Sequence, residues 1–147
     1  LETQALIGGE ESGGFGFRGH IPERDGVLSG LLLLDFIART GRKPSALVED
    51  LYRRVGPHYY DRWDVPFEAG SRSAIVERVS AAQPRALGGF KVAGQERLDG
   101  FFYRLEGGAW LLVRFSGTEP LLRIYAEADS PERVARLLTE GRRLAGV

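Results

Sequence analysis

A short apolar run followed by a glycine-rich stretch opens the chain. Ala5-Leu6-Ile7 is apolar and stops at Gly8-Gly9, a pattern that predicts a buried strand leading into a loop. We expect this loop to cover residues 8–24, since five glycines fall between Gly8 and Gly16. The start of the chain therefore predicts a strand that ends in a glycine-rich loop.

Two helices are expected after this loop. Asp25 is a favourable N-cap for a helix over residues 26–39, and Gly41 is expected to end it. Because this helix is apolar on nearly every side, we expect it to be buried against a sheet. A second helix over residues 44–55 has one apolar face and stops at Gly56-Pro57. A strand, a glycine loop and two helices are typical of the end of an α/β domain.

The pattern changes after the second helix. Residues 58–67 are rich in aromatic side chains and bounded by prolines, which predicts a strand leading out of the first domain. We place the boundary near residues 66–70, so that the first domain covers 1–66 and the second covers 67–147. A helix over about 71–82 should begin the second domain, and apolar runs predict strands at 90–92, 101–105, 110–115 and 121–126.

The last helix is marked by its cap. Ser130 is a good N-cap, and Pro131 suits the first helical position. One face of this helix is apolar and carries Val134, Leu137, Leu138 and Leu144. Helix, antiparallel strands and helix together predict a small α+β domain with an antiparallel sheet and flanking helices, following the α/β fragment.

Composition and charge narrow the classes of function. The 147-residue chain has a formal net charge of +0 and 43% hydrophobic residues, which is typical of a globular protein. Because the chain is neutral and no basic face with interleaved aromatics appears, we expect neither nucleic acid nor a membrane surface as partner. The chain contains no cysteine, which excludes disulfides and cysteine-based zinc sites. Two histidines offer little for a metal site, and we expect none in this chain.

The first residues indicate how the protein is processed. Leu1-Glu2-Thr3-Gln4 is not a basic stretch followed by an apolar run, so we expect no signal peptide and a cytoplasmic protein. No apolar run reaches the length of a membrane-spanning helix. The chain contains no methionine, and its simplest interpretation is a piece of a longer protein.

The most informative stretch is Arg114-Phe115-Ser116-Gly117-Thr118-Glu119-Pro120-Leu121-Leu122-Arg123. Two guanidinium groups and two hydroxyls flank a glycine, and the turn lies between two apolar runs. Arginine can bind two phosphate oxygens at once, hydroxyls add donors, and glycine lets backbone N–H groups approach closely. The pattern favours a phosphate-binding loop, although a plain hairpin turn would also carry such a sequence.

The glycine-rich loop is the second candidate site. Glu10 and Ser12 offer a carboxylate and a hydroxyl, which suit the vicinal hydroxyls of a sugar. Arg18, His20 and Arg24 follow, and cations beside a polyol pocket would meet the phosphate of a sugar phosphate. Neighbouring cations favour a neutral imidazole, so His20 is a candidate general base. A mobile surface loop with solvated charges, and a purely structural histidine, remain alternatives.

The two loops together resemble those of the α-D-phosphohexomutases. Gly9-Glu10-Glu11-Ser12-Gly13 is similar to their sugar-binding loop, and Arg114 to Pro120 with Arg123 is similar to their C-terminal phosphate-binding loop. His20-Ile21-Pro22-Glu23-Arg24-Asp25-Gly26 also looks like the stretch after the sugar loop in phosphoglucomutases. The resemblance covers essentially the whole chain, with the motifs in the family's order.

The resemblance implies roles for individual residues. Glu10, Ser12 and Arg24 would bind the sugar, and His20 would lie near the reacting groups. Arg24 stands where relatives commonly have lysine, so a proton-transfer role there is not expected, because arginine stays protonated. The non-reacting phosphate would be held by Arg114, Ser116, Gly117, Thr118 and Arg123.

The family's fold implies that this chain is its C-terminal part. The family has four domains and is an isomerase that interconverts hexose 1-phosphate and 6-phosphate through a bisphosphorylated sugar. Residues 1–66 would then end domain three, and the remainder would be domain four. The phosphoserine loop and the Mg²⁺ loop of the family have no match here, so Mg²⁺ and hexose 1,6-bisphosphate belong to the full-length enzyme and this chain alone should be inactive.

We therefore expect the C-terminal part of a phosphohexomutase, most like a phosphoglucomutase, that works with the missing N-terminal domains and binds a hexose phosphate. The choice of glucose rests on Glu11, where relatives acting on other hexoses tend to differ. One alternative is a non-enzymatic phosphosugar-binding or regulatory module. Another is an interaction module in which Arg114 and Arg123 meet carboxylates of a partner.

Overall fold

A computed structural model of the chain describes residues 4–10 and 13–147. It divides into two compact units, Leu1–Leu51 and Tyr52–Val147. None of the helices in the described ranges combines the length and the apolar character that crossing a bilayer requires.

The first unit holds a small hairpin and a helix. Strands β1 (Ile7–Gly9) and β2 (Phe15–Phe17) pair antiparallel, with Ile7 opposite Phe17. Helix α1 (Gly26–Thr40) follows, and helix α2 (Pro44–Val55) crosses into the second unit. The sequence analysis predicted a loop over residues 8–24, so strand β2 was missed.

The predicted ends of α1 are confirmed, but its predicted burial is wrong. The Asp25 carboxylate accepts a hydrogen bond from Leu28 N at 2.8 Å, and Gly41 ends the helix in the left-handed region with φ 61°. Yet α1 has no buried residue, and Leu31 and Leu34 are 60% and 63% exposed. Burial needs a partner surface, and the described strands of this unit form only a two-stranded hairpin.

The second unit is a six-stranded antiparallel sheet covered on one face by two helices. The strands are β3 (Tyr59–Pro66), β4 (Ala86–Leu87), β5 (Phe90–Glu96), β6 (Phe101–Leu105), β7 (Trp110–Phe115) and β8 (Leu121–Ala128). They lie in the order β3-β8-β7-β6-β5-β4, so β7 and β8 are neighbours and both are interior strands. The helices are α3 (Arg72–Ala81) and α4 (Pro131–Ala145), with short 3₁₀ turns at Ala69–Ser71 and Glu106–Gly108.

The hydrophobic core lies between this sheet and the helices. The predicted cap of α4 is confirmed, since Ser130 accepts a hydrogen bond from Arg133 N and Pro131 takes the first turn. Helix α4 contacts α3 and strands β3, β7 and β8. The fully buried side chains that join helix to sheet include Val79, Leu111, Val113, Leu122, Ile124, Leu137 and Leu138. This packing makes the α+β domain that the sequence predicted.

The aromatic strand β3 lies in the sheet of the second unit. It pairs with β8 along its whole length, from Tyr59 opposite Ala128 to Pro66 opposite Leu121. The sequence analysis placed the domain boundary at residue 66, whereas the compact units divide between Leu51 and Tyr52. Strand pairing groups β3 with the residues that follow it, and local sequence pattern carries no information on that pairing.

Candidate functional site

The predicted phosphate loop, residues 116–120, is the turn that joins the interior strands β7 and β8. Arg114 on β7 lies directly opposite Arg123 on β8. Side chains at opposed positions of antiparallel strands point to the same face of the sheet. The two guanidinium groups therefore project from the same face beside one turn, an arrangement that favours an anion.

Arg123 is the more buried of the two arginines. Its Nε atom is buried and has no hydrogen-bond partner among the described residues. An unpaired donor with a formal charge is costly to bury, so an anion that accepted this hydrogen bond would remove the cost.

Ser116 gives the turn a buried hydroxyl. The residue is only 4% exposed, and its backbone N–H donates to Leu121 O at 2.9 Å, which closes the turn. The Ser116 Oγ lies 3.5 Å from the backbone nitrogen of Thr118, which donates to it. Ser116 is thus held by hydrogen bonds with the backbone of both Leu121 and Thr118.

Asp99 contacts the site from the turn between β5 and β6. Its Oδ1 lies 3.3 Å from Nε of Arg114. The next residue, Gly100, has φ +110°, and a Cβ there would lie 2.8 Å from Val113 O, so the turn packs closely on β7. Sequence reasoning missed Asp99, although Asp-Gly is a recognised hairpin signal.

A further cation lies beside the loop on α3. The Arg72 guanidinium carbon is 4.7 Å from the centroid of the Phe115 ring, and Phe67 meets the same ring edge-on at 5.5 Å. The backbone N–H of Phe67 also donates to Pro120 O at 3.1 Å. The end of β3 therefore supports the loop, and Arg72 adds positive charge that sequence reasoning missed because only the fold brings it there.

The predicted sugar loop forms the β1–β2 hairpin and the segment after it. Arg24 Nη1 lies 2.6 Å from Glu10 Oε2, so the structure joins two of the predicted sugar-binding residues in one ion pair. Both side chains line a cavity of about 380 Å³. Gly14 permits this approach, because a Cβ there would lie 2.7 Å from Arg24 Cδ. Glu11 and Ser12 lie outside the described residues.

Hydrogen bonds and neighbouring charges favour the ionised forms of two side chains in this cavity, Arg24 and Glu23. Hydrogen bonds to Glu10 and then Glu23 raise the pKa of Arg24 above its ordinary value. The pKa of Glu23 is lowered, chiefly because its carboxylate accepts the backbone N–H of Arg24 and also pairs with the guanidinium. The cavity therefore presents the Glu23 carboxylate and the Arg24 guanidinium, both ionised at neutral pH.

His20 lines an adjacent cavity of about 430 Å³ with Arg18. Its Nε2 lies 2.9 Å from Asp25 Oδ2. The two cavities share Gly8, Gly16, Pro22 and Glu23 in their walls, so the cavity at His20 adjoins the one at the Glu10–Arg24 pair. Within residues 4–10 and 13–147, no three His, Asp or Glu side chains gather where they could hold a metal ion.

The sequence matches two domain profiles of one family. Residues 1–55 match phosphoglucomutase/phosphomannomutase, alpha/beta/alpha domain III, and residues 71–144 match the phosphoglucomutase/phosphomannomutase C-terminal domain. The two profiles follow each other along the chain as the two predicted domains do.

Individual relatives agree with the profiles. The chain is 35% identical over 144 residues to a phosphoglucomutase/phosphomannomutase of Thermococcus kodakarensis, covering 98% of the chain and 29% of that protein. It is 36% identical over 139 residues to a phosphoglucomutase of Komagataeibacter xylinus, covering 83% of the chain and 24% of that protein. The chain thus spans under a third of these relatives.

A solved structure shows the same fold. The crystal structure of a phosphoglucomutase/phosphomannomutase family protein from Burkholderia thailandensis superposes with a TM-score of 0.71. The match covers 97% of this chain and 28% of that one at 24% identity.

Proposed function

Since the chain belongs to the phosphoglucomutase/phosphomannomutase family, we propose that it forms the sugar- and phosphate-binding C-terminal part of a hexose-phosphate isomerase. Arg114 and Arg123 lie opposite each other beside the 116–120 turn, and this pairing is the observation that carries the proposal. In the proposed complex these arginines hold the non-reacting phosphate of the hexose. Ser116, Gly117 and Thr118 supply hydroxyl and backbone donors from the turn.

The Glu10–Arg24 pair supports the sugar half of the proposal. A carboxylate can accept two hydrogen bonds from vicinal hydroxyls, and the adjacent guanidinium can donate to another oxygen. A sugar that replaced part of this ion pair would find both partners already in place. Ser12, which lies outside the described residues, would add a hydroxyl, and Glu11 would favour glucose over other hexoses.

The chemistry of phosphoryl transfer needs groups beyond these. Transfer requires a carrier for the phosphoryl group and a cation that spreads the developing charge. The described residues do not gather acidic side chains into an Mg²⁺ site, so no step at the metal is assigned to them. We propose that Mg²⁺, the phosphorylated serine and hexose 1,6-bisphosphate act in the preceding domains of a cytoplasmic enzyme, and that this chain alone is inactive.

An amide NMR titration tests the proposal. We expect glucose 1-phosphate to shift the amide signals of Ser116, Gly117 and Thr118, and glucose at the same concentration to leave them in place. Arg104→Ala is a control for loss of an arginine outside the site, and it should respond to glucose 1-phosphate like the wild type. Arg104 is an exposed strand arginine that pairs with Glu96 away from the turn. Equal responses to both sugars, or none in a folded sample, would contradict the phosphate site. They would leave an interaction module as the better explanation.

A further inference from the structure

Asp25 uses its two carboxylate oxygens for two different purposes. Its Oδ1 accepts a hydrogen bond from Leu28 N at 2.8 Å and so caps helix α1. Its Oδ2 lies 2.9 Å from His20 Nε2. Helix capping alone requires only the first of these contacts. The second contact joins the helix terminus to the histidine that lines the cavity.

The Asp25 backbone is fixed on both sides of this carboxylate. Its N–H donates to Phe15 O on β2 at 3.1 Å. Its carbonyl accepts hydrogen bonds from both the backbone N–H and the hydroxyl of Ser29, at 3.0 and 2.6 Å. The His20 N–H in turn donates to Phe17 O at 3.2 Å. Both ends of the His20–Asp25 contact are therefore tied to the same strand.

The ionisation state of Asp25 determines which imidazole nitrogen carries a proton. Hydrogen bonds from Leu28 N–H and then from His20 lower the pKa of the Asp25 carboxyl, so it is a carboxylate at neutral pH. A carboxylate can only accept hydrogen bonds. His20 Nε2 must therefore donate, and in the neutral ring Nδ1 is left with the lone pair.

We propose that Asp25 is a positioning residue that holds His20 as the Nε2–H tautomer, with Nδ1 free to accept a proton or a hydrogen bond from a sugar hydroxyl. This inference rests on the proposed function only for the identity of the ligand, a sugar. The His20–Asp25 contact itself does not depend on that proposal. If a sugar hydroxyl lay against Nδ1, the ring would offer its proton an acceptor. His20 would then be the proton acceptor of the site, and Asp25 would act through it without touching the ligand.

Imidazole ¹⁵N NMR of the whole chain tests the tautomer without any ligand. At a pH where both rings are neutral, we expect the His20 Nε2 signal to be of the protonated type, with an excess of that tautomer well above the preference that a free histidine ring already has. His58 is an internal reference with the opposite expectation, because its Nδ1 lies 2.8 Å from Glu127 Oε1. A wild-type His20 that is protonated at Nδ1 would overturn the proposal at once.

Two variants separate positioning from helix capping. Asp25→Ser keeps a good N-cap but is too short to reach His20, so the α1 amide signals should persist while the tautomer excess falls to that of a free histidine ring. Asp25→Asn has only one side-chain oxygen, so if that oxygen keeps the contact with Leu28 N, its NH2 group faces Nε2 and the Nδ1–H tautomer should gain population. Asp35→Asn, which removes an exposed pair with Arg39 on the same helix, should change nothing at His20.

The outcomes separate the two proposals. An unchanged His20 tautomer in Asp25→Ser would reduce Asp25 to a helix cap, whatever the phosphate titration shows. If the Nε2–H tautomer of His20 depends on Asp25 but the chain does not respond to glucose 1-phosphate, the positioning role stands. The proposal that the ligand is a sugar phosphate would then be wrong. If Asp25→Ser disturbs α1, the Asp25→Asn spectrum decides, since an unchanged His20 tautomer there, with the Leu28 cap intact, would contradict the hydrogen bond to the carboxylate.

Discussion

Individual residues show what the two sites still lack. Arg123 carries a buried Nε without a partner in the described part of the chain, whereas Glu10 and Arg24 already satisfy each other. An anion at the 116–120 turn would therefore gain a donor that protein atoms leave free. A sugar at the hairpin would have to compete with an existing ion pair. We therefore expect the phosphate group of a hexose phosphate to contribute more to its binding affinity than the sugar hydroxyls do.

Substituting Arg123 should weaken phosphate binding. Arg123→Ala removes a charge-assisted hydrogen bond, worth about 1.5–3 kcal/mol, so we expect phosphate affinity to fall roughly tenfold to a hundredfold. The measurement is a titration with glucose 1-phosphate followed by amide NMR. Arg104→Ala should bind like the wild type, and an Arg123→Ala protein that also did so would exclude Arg123 from the site.

His58 should make the stability of the second unit depend on pH. A hydrogen bond to Glu127 raises the pKa of His58 above its ordinary value of 6.5. Because the folded pKa is raised, the stabilisation is complete below about 6.5 and is lost as pH rises through the folded value. Urea unfolding across this window should show the wild type losing stability with rising pH relative to His58→Gln. Parallel pH profiles for the two proteins would contradict the pairing.

The candidate site could be predicted where sequence neighbours are also neighbours in space. Arg114 and Arg123 flank one hairpin turn, so their sequence spacing already places them on paired strands. Arg72 on α3 and Asp99 in the β5–β6 turn contact Phe115 and Arg114 at the end of β7, and no local signal marks such approaches. The second role of Asp25 was missed because a helix cap was a sufficient explanation of that residue.

At the scale of elements, helix α4 and the central strands determine how the second unit packs. Gly141 lies on the buried face of α4, where a Cβ would be 2.5 Å from Ile124 Cγ2 and 3.2 Å from Leu111 Cδ1. Helix and sheet approach this closely only because the side chain is absent. A glycine that weakens the helix by propensity is therefore required by the packing.

Substituting Gly141 measures this packing. Gly141→Ala should gain up to about 1 kcal/mol of helix propensity and lose about 1–3 kcal/mol to overpacking, so we expect a net loss of stability. Urea unfolding followed by the fluorescence of Trp63 and Trp110 reports on this unit, since both tryptophans lie on its sheet. Thr139→Ala, at an exposed position of the same helix, should stay within about 0.5 kcal/mol of wild type. A stabilised Gly141→Ala protein would show that α4 can move away from the sheet.

Elements with strong local signals were predicted closely, but the predicted burial of α1 was wrong. The caps Asp25, Gly41 and Ser130 are local features, so both ends of α1 and the start of α4 follow from sequence. Strand β2 was missed because Phe15-Gly16-Phe17 lies among glycines, and only its pairing with β1 makes it a strand. The apolar character of α1 was read as burial, but burial depends on surfaces that other elements provide.

At the scale of the whole molecule, the two units differ in how much apolar surface they bury. The second unit has a continuous core beneath its sheet. Among the described residues up to Leu51, no side chain is fully buried, and α1 exposes several large apolar side chains. The chain spans under a third of the relatives it matches. An apolar helix face of this kind is stable in water only where another surface covers it.

This difference predicts unequal hydrogen exchange along the chain. Local opening free energies range from near zero to the global value, so we expect the amides of α1 to exchange at least about a hundredfold faster than those of α4. A matched pair of leucines gives the control. Leu138→Ala, at a fully buried position of α4, should cost about 2–5 kcal/mol of unfolding free energy. Leu34→Ala, 63% exposed on α1, should change it by less than about 0.5 kcal/mol.

The opposite result would also be informative, because it would show that the α1 leucines are covered in solution. Equal protection of α1 and α4 requires a surface that covers α1, and in a purified sample another copy of this chain can supply it. That protection would then fall on dilution, and Leu34→Ala would lower it at fixed concentration. Protection of α1 that was independent of concentration would instead mean that the first unit folds around α1 more closely than the structure describes.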